Sequence, residues 1–523
     1  RVSFKAFAHR TENIVNKAEK GYGGALFIDN SAKVYVRDVE LELNKVNTDS
    51  TSEFAGIVLN SSGYKVLNIS NKSAIKNVIY MKKDAVLFIL DKATQVQKND
   101  TDRYKLRLSL EFRATVGEET LVAQYDDEDS CDFSKFYAQN TVFTQRKADV
   151  YATGAMVVDN NGNAYANLKD AVNASPYDAE RPTILQLTAN QVIGEENVVV
   201  VPRGKHVVIL TSKDKEADDA TPYTISRASD YKQFIFIVYG KLEFNANAEL
   251  RHSYNDDVDK IDYGEIKGTS TPMFEELHII GDNNGTALIY VGGDTIVTYD
   301  EKKDGMVALN DLAFIENNEA VYTESFYVVD PTDGITKSKV IDPSNGGAVY
   351  VGSGAFIVDG GVLRNNKANN GGAVYVYKGK AEIRNTGGQY ISSSATDIDE
   401  LQSIHHNTAT LNGGAIYLHA GLLEIKGRNG DESTNVIRNN EATNGGAIYI
   451  SSEGGCDISV VNISNNKATK MGGGIYFEGQ TSSIEGTGQL VINSATISNN
   501  KSSESGGGIY VADGKFVTGN DIS

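Results

Sequence analysis

An all-β chain wound as a parallel β-helix is predicted by three observations: a phrase that returns six times, a paired-asparagine corner ahead of it, and a following strand that alternates with period two. The phrase reads Asn345-Gly-Gly-Ala-Val-Tyr350, Asn370-Gly-Gly-Ala-Val-Tyr375, Asn412-Gly-Gly-Ala-Ile-Tyr417, Asn444-Gly-Gly-Ala-Ile-Tyr449, Gly472-Gly-Gly-Ile-Tyr476 and Gly506-Gly-Gly-Ile-Tyr510. Its first glycines, at 346, 371, 413, 445, 472 and 506, are 25, 42, 32, 27 and 34 residues apart. Self-similarity at such intervals marks stacked units, with loops of variable length between them, and not one globular core.

The corners are written as Arg364-Asn365-Asn366, Arg438-Asn439-Asn440, Ser464-Asn465-Asn466 and Ser498-Asn499-Asn500. Asparagine tolerates left-handed backbone and glycine adopts it without steric cost, so Asn366, Asn440, Asn466 and Asn500 and the glycines 371, 413, 445, 472 and 506 are assigned to corners. Between them Ile448 and Ile450 share one face while Tyr449 points the other way. The same alternation holds for Ile416 and Leu418, Val374 and Val376, and Ile509 and Val511. A further strand is expected before each asparagine pair, at Phe356–Val358, Ile458–Val461 and Leu490–Ile492, giving two or three short strands per coil of about 25 residues.

Stacking such coils sets like residues above one another at about 4.8 Å. The aliphatic face is expected to fill the core. Tyr350, Tyr375, Tyr417, Tyr449, Tyr476 and Tyr510 then form an external ladder open to a ligand or a neighbouring subunit. Ala447 shares the parity of Tyr449, which leaves the reverse assignment open.

Along the chain, residues 1–60 read as terminal coils, with Asn16 leading to Gly23-Gly24-Ala25-Leu26-Phe27 and on to a strand over 33–43. Residues 61–150 lose the double glycine and gain longer strands, which predicts a smaller strand-rich cap or β-sandwich-like module. Residues 151–180 read as a lead strand and a short amphipathic capping helix: Asn167 caps it, Leu168, Ala171 and Val172 share one face, and Pro176 ends it. Residues 181–523 read as the main solenoid.

The Gly-Gly-Ala-Ile/Val-Tyr phrase behind an Asn-rich corner resembles the repeat of the polymorphic outer-membrane-protein family and the right-handed β-helix repeats of large bacterial surface adhesins. The resemblance covers roughly residues 310–523. The Phe-x-x-Asn partner motif of that family is replaced by forms such as Ile463-Ser-Asn-Asn466. It implies a right-handed parallel β-helix, and an extracellular, surface-displayed stalk, fibre or adhesin with a glycan or host-surface ligand.

Composition supports a repetitive, cornered architecture: 523 residues carry 50 glycines and 7 prolines. The formal net charge of −19 argues against a nucleic-acid surface, which needs clustered Lys and Arg. Cys131 and Cys456 stand far apart without metal-ligand spacing. The longest apolar runs, 198–201 and 234–239, are too short to span a bilayer.

No catalytic constellation, cofactor motif or metal set is expected. The acidic loop Asp126–Asp129 is a weak calcium candidate because its carboxylates are consecutive. Asp256, Asp257 and Asp259 fall in a polar insertion, and His405-His406 aligns with an asparagine corner, with His406 in the place of Asn439. The alternative reading is a polysaccharide lyase or hydrolase of the pectate-lyase-like fold, whose chemistry needs converging carboxylates. Joining the end of one copy to the start of another gives a Gly506-to-Gly23 interval of 523 + 23 − 506 = 40 residues, inside the spread of the repeats. Copies stacked head to tail, or further repeats of a longer chain, are therefore the expected partners.

Overall fold

The computed structural model describes residues 141–212, 221–245, 275–281, 285–293, 305–329, 337–340, 342–385, 404–426, 435–480 and 488–519, with separate strand segments within 2–138. The described residues are mostly β-strand and fall into two units, Arg1–Val158 with Gly162–Ala166, and Asp159–Asn161 with Asn167–Ser523.

In the second unit the strands follow three tracks, and each pairs in parallel with the next strand of its own track. The first runs through Thr183–Leu187, His206–Leu210, Lys241–Phe244, Met306–Asn310, Ala355–Asp359 and Lys380–Asn385. The second runs through Gln191–Ile193, Ile225–Arg227, Leu277–Ile280, Ala313–Glu316, Val362–Arg364, Ile404–His405 and Asn435–Arg438. The third holds Val199–Val201, Phe236–Val238, Ile289–Val291, Val349–Val351, Val374–Val376, Ile475–Phe477 and Ile509–Val511. Longer strands, Ile416–Ile425, Ile448–Ser464 and Gln489–Ser498, continue through a bend from one track into the next.

Registers keep the alternation in phase. Ile448 pairs with Ile475, Tyr449 with Tyr476 and Ile450 with Phe477. Because side chains alternate at period two, the same phase puts Val207 and Ile209, Leu242 and Phe244, Val307 and Leu309, and Phe356 and Val358 into one continuous apolar core, all fully buried. Each such side chain contributes roughly 1.5–3 kcal/mol of burial.

The single strand expected before each asparagine pair is in fact two. Phe356–Val358 lies in a first-track strand, and Val362–Arg364 leads to Asn365, with Gly360 at φ 103° bending the chain between them. Within Ile448–Ser464 the bend is made by Val460 at φ 54°. A β-branched residue in left-handed backbone is an outlier, so periodicity alone gave no sign of a corner there. A fourth track also appears after the asparagines, Lys367–Asn370, Thr408–Asn412, Glu441–Asn444, Lys467–Met471 and Lys501–Ser502.

The helix Leu168–Ala174 buries Leu168, Ala171 and Val172 and packs beside Val199–Val201. Asn167 caps it, its side-chain oxygen accepting from the Asp170 backbone N–H at 2.9 Å.

In the first unit, Leu26–Asp29, Ile57–Asn60, Ile79–Met81, Leu106–Leu110 and Phe136–Tyr137 form one parallel series, and Val34–Arg37, Gly63–Ser70, Ala85–Leu90 and Thr120–Tyr125 another. Strands of 61–150, expected as a separate module, thus share these series with strands of 1–60. Phe7–His9 and Glu12–Ile14 pair antiparallel, as do Thr141–Arg146 with Asp149–Gly154 and the latter with Thr120–Tyr125. Ile28, Ile79, Met81, Leu87, Ile89, Leu108 and Val122 make its core. Asn16, Gly23, Gly24, the loop Asp126–Asp129, Cys131 and Asp256, Asp257 and Asp259 lie outside the described residues.

Candidate functional site

Each asparagine corner divides its work between two residues. The first takes the left-handed conformation: Asn317 at φ 57°, Asn365 at 55°, His406 at 54°, Asn439 at 54°, Asn465 at 56° and Asn499 at 55°. His406 therefore occupies the asparagine place that the alignment assigns it, and His405 Nδ1 lies 2.7 Å from His406 Nδ1. The second residue turns inward and binds the next repeat. The Asn366 backbone N–H and Nδ2 both donate to Asn407 Oδ1 (3.0 and 3.1 Å), Asn407 repeats this onto Asn440, Asn440 onto Asn466, and Asn466 onto Asn500. At the other end the column begins at Asn318, whose Oδ1 accepts from the buried Arg227 guanidinium.

The glycine pair is divided in the same way. Gly371, Gly413, Gly445, Gly472 and Gly506 hold φ between 61° and 66°. The second glycine is required by close approach: a Cβ at Gly414 would lie 2.1 Å from the Gly446 carbonyl oxygen. A second amide column, Asn345, Asn370, Asn412 and Asn444, accompanies these corners. Its Nδ2 groups donate toward the start of the chain, opposite to the first column, over 3.0–3.1 Å.

Beside these corners runs the tyrosine column. Ring centroids are 5.1 Å apart for Tyr350–Tyr375, 5.3 Å for Tyr375–Tyr417, 5.0 Å for Tyr417–Tyr449, 4.6 Å for Tyr449–Tyr476 and 5.0 Å for Tyr476–Tyr510. From Tyr375 to Tyr476 the rings are near parallel, at 5–13°. All six tyrosines are brought together, but not as rings splayed into solvent. Tyr350, Tyr375 and Tyr449 are buried and the other three half-buried, because each ring covers its neighbour's face. Burial pushes the Tyr417 phenol up to about 12 and raises Tyr350, Tyr375 and Tyr449 further. The Tyr449 hydroxyl donates to Glu478 at 3.1 Å.

Glu316, Glu382 and Glu424 sit in ion pairs made within and between strands. Glu382 meets Arg384 and Lys426 (2.7 Å each) and Lys380 (3.2 Å); against the cost of its burial, these cations hold its carboxyl at about 2. Glu316 bridges His278 (2.7 Å) and Arg364 (2.6 Å), whose side chains also stack on or over Phe314. Burial opposes the charge on His278, yet hydrogen bonds to Glu276 and Glu316 raise its pKa to about 9. Among the described residues no group of three or more His, Cys, Asp or Glu is placed to hold a metal ion. Cys456 is a free, buried thiol whose pKa burial raises.

The model of the Chlamydia polymorphic membrane protein repeat matches residues 460–478 and 494–512. The chain carries this repeat. Both matches run from the strand before an asparagine corner, through Asn466 or Asn500, to the tyrosine strand at Tyr476 or Tyr510. The repeat is thus one corner-to-corner segment of the columns described above. Corners at Asn366, Asn407 and Asn440 have the same geometry outside the matched residues. No curated protein and no solved structure matches the chain.

The fourth-track strand, the bend at Val460 and the second asparagine column were missed by periodicity. The last had a visible signal, since Asn345, Asn370, Asn412 and Asn444 each precede a glycine pair.

Proposed function

We propose that this chain is a surface-displayed, non-enzymatic stalk or adhesin whose three parallel tracks close into a right-handed β-helix. The observation that carries the reading is the unbroken asparagine column from Asn318 to Asn500, in which each backbone N–H donates to the Oδ1 of the next asparagine. Such a column strengthens with each added unit and suits a long, stiff, repetitive body. The match to a membrane-protein repeat supports display at a cell surface. Glu316, Glu382 and Glu424 support a structural role, because they meet Arg364, Lys426 and Lys380 across neighbouring coils. Copies stacked head to tail, or further repeats, are the proposed neighbours. A glycan or host-surface ligand is the proposed external partner.

The test combines electron cryomicroscopy of the purified chain with binding to cultured host cells and glycan arrays. Rod-shaped right-handed particles with saturable binding are expected. Depolymerisation of neutral or acidic polysaccharides by the chain would replace this reading with the carbohydrate-active alternative.

A further inference from the structure

One corner of the stack departs from the others, and its extra chain packs against the tyrosine column. From the inward asparagine to the first glycine of the next phrase the interval is 371 − 366 = 5, 413 − 407 = 6, 445 − 440 = 5, 472 − 466 = 6 and 506 − 500 = 6 residues, filled by the fourth-track strand. From Asn318 to Gly346 it is 346 − 318 = 28. The extra chain carries an antiparallel hairpin, Phe326–Val329 with Lys337–Val340. After Glu319 bridges Lys367 of the fourth track, the hairpin packs over the aromatic column: Val328 and Val340 are buried in a cluster with Phe234, Tyr290, Tyr350 and Tyr375, and Phe326 lies 5.4 Å from Phe234.

Beneath this cover Phe234 meets Tyr290 and Tyr350 at 43° and 60°, Tyr290 meets Tyr350 at 22°, and Tyr350 meets Tyr375 at 45°. Beyond it Tyr417, Tyr449 and Tyr476 stack near parallel, and among the described residues no second hairpin lies over them.

We propose that the Tyr417–Tyr510 stretch is a docking site for a partner polypeptide presenting a β-hairpin with an aromatic and β-branched face, seated as this chain's own hairpin is seated on Tyr290–Tyr375. Continuity of the column with the covered half carries the inference: one strip of side chains, in one register, already accepts this chemistry. A pyranose ring stacking flat on a tyrosine face is disfavoured, since neighbouring rings occupy those faces. The proposal rests on the reading of this chain as an adhesin and names the class of ligand.

The test uses the full chain and a cyclised peptide of residues 324–341 as probe, with a photoreactive group in place of Phe326. Saturable binding of one equivalent is expected, with crosslinks confined to the strip between Tyr417 and Tyr510. Y417S and Y476S, confirmed as folded by an unchanged β-sheet circular dichroism spectrum and a cooperative melt, should each weaken it about tenfold or more. Crosslinks elsewhere, or no saturable binding at millimolar peptide, would overturn the docking site. If glycan or host-cell binding persists in that case, the adhesin reading stands without it.

Discussion

Asn407 donates both its backbone N–H and its Nδ2 to one atom, Asn440 Oδ1, at 2.9 and 3.1 Å. Both residues are fully buried, and Nδ2 of Asn407 reaches back to the Leu363 carbonyl as well. One amide therefore ties three successive repeats.

Replacing Asn440 by Ala removes the acceptor and strands two buried donors on Asn407. Each unsatisfied buried group costs about 1–3 kcal/mol, so a loss of about 2–5 kcal/mol is expected in denaturant unfolding. Hydrogen exchange should speed at Asn407 and its neighbours. Asn439→Gly keeps the corner and relieves left-handed strain, so it is expected to change stability by less than about 1 kcal/mol in either direction.

Ile448 is fully buried between Ile416 and Ile475 in the third track. Ile448→Asp sets an unpaired charge in the apolar core and should cost about 4 kcal/mol or more. Unchanged melting would mean that the aliphatic face is not the core.

Two ion-pair clusters predict opposite limbs of a stability–pH curve. Glu382 titrates near 2 in the folded chain, below its ordinary value of 4.5, so the stability it lends is complete above about 4.5 and is lost as pH falls through 2. His278 titrates near 9, above its ordinary 6.5, so its contribution is complete below about 6.5 and is lost as pH rises through 9. Urea melts across pH should show Glu382→Gln flattening the acid limb and His278→Gln the alkaline one.

How far the sequence speaks depends on whether a residue's role is local. Gly371 and Asn365 need left-handed backbone, a property of the residue itself, so their corners are legible from composition and spacing. The Ile448/Tyr449 alternation is legible for the same reason. Burial of Tyr350 is not, because it depends on a hairpin from another corner and on rings one repeat away. Nor is the bend at Val460, where pairing with neighbouring repeats overrides a β-branched residue's preference.

The last prediction concerns the capping helix. Nζ of the buried Lys205 donates to the Val172 and Asn173 carbonyls at 2.8 Å each, at the C-terminal end of the helix Leu168–Ala174, with the Tyr177 ring 4.7 Å away. A cation there satisfies the Asn173 carbonyl, adds to the bond that the Val172 carbonyl accepts from the Ser175 N–H, and opposes the negative end of the helix dipole. A helix of seven residues is too short to persist alone. Lys205→Met keeps most of the apolar stem and removes only the ammonium, so a loss of about 1–3 kcal/mol is expected. The damage should be local: amide exchange is expected to rise over the helix and the adjoining Val199–Val201 strand while the asparagine column from Asn318 onward keeps its protection. Uniform acceleration over both regions would show instead that the helix end and the distant column unfold as one unit.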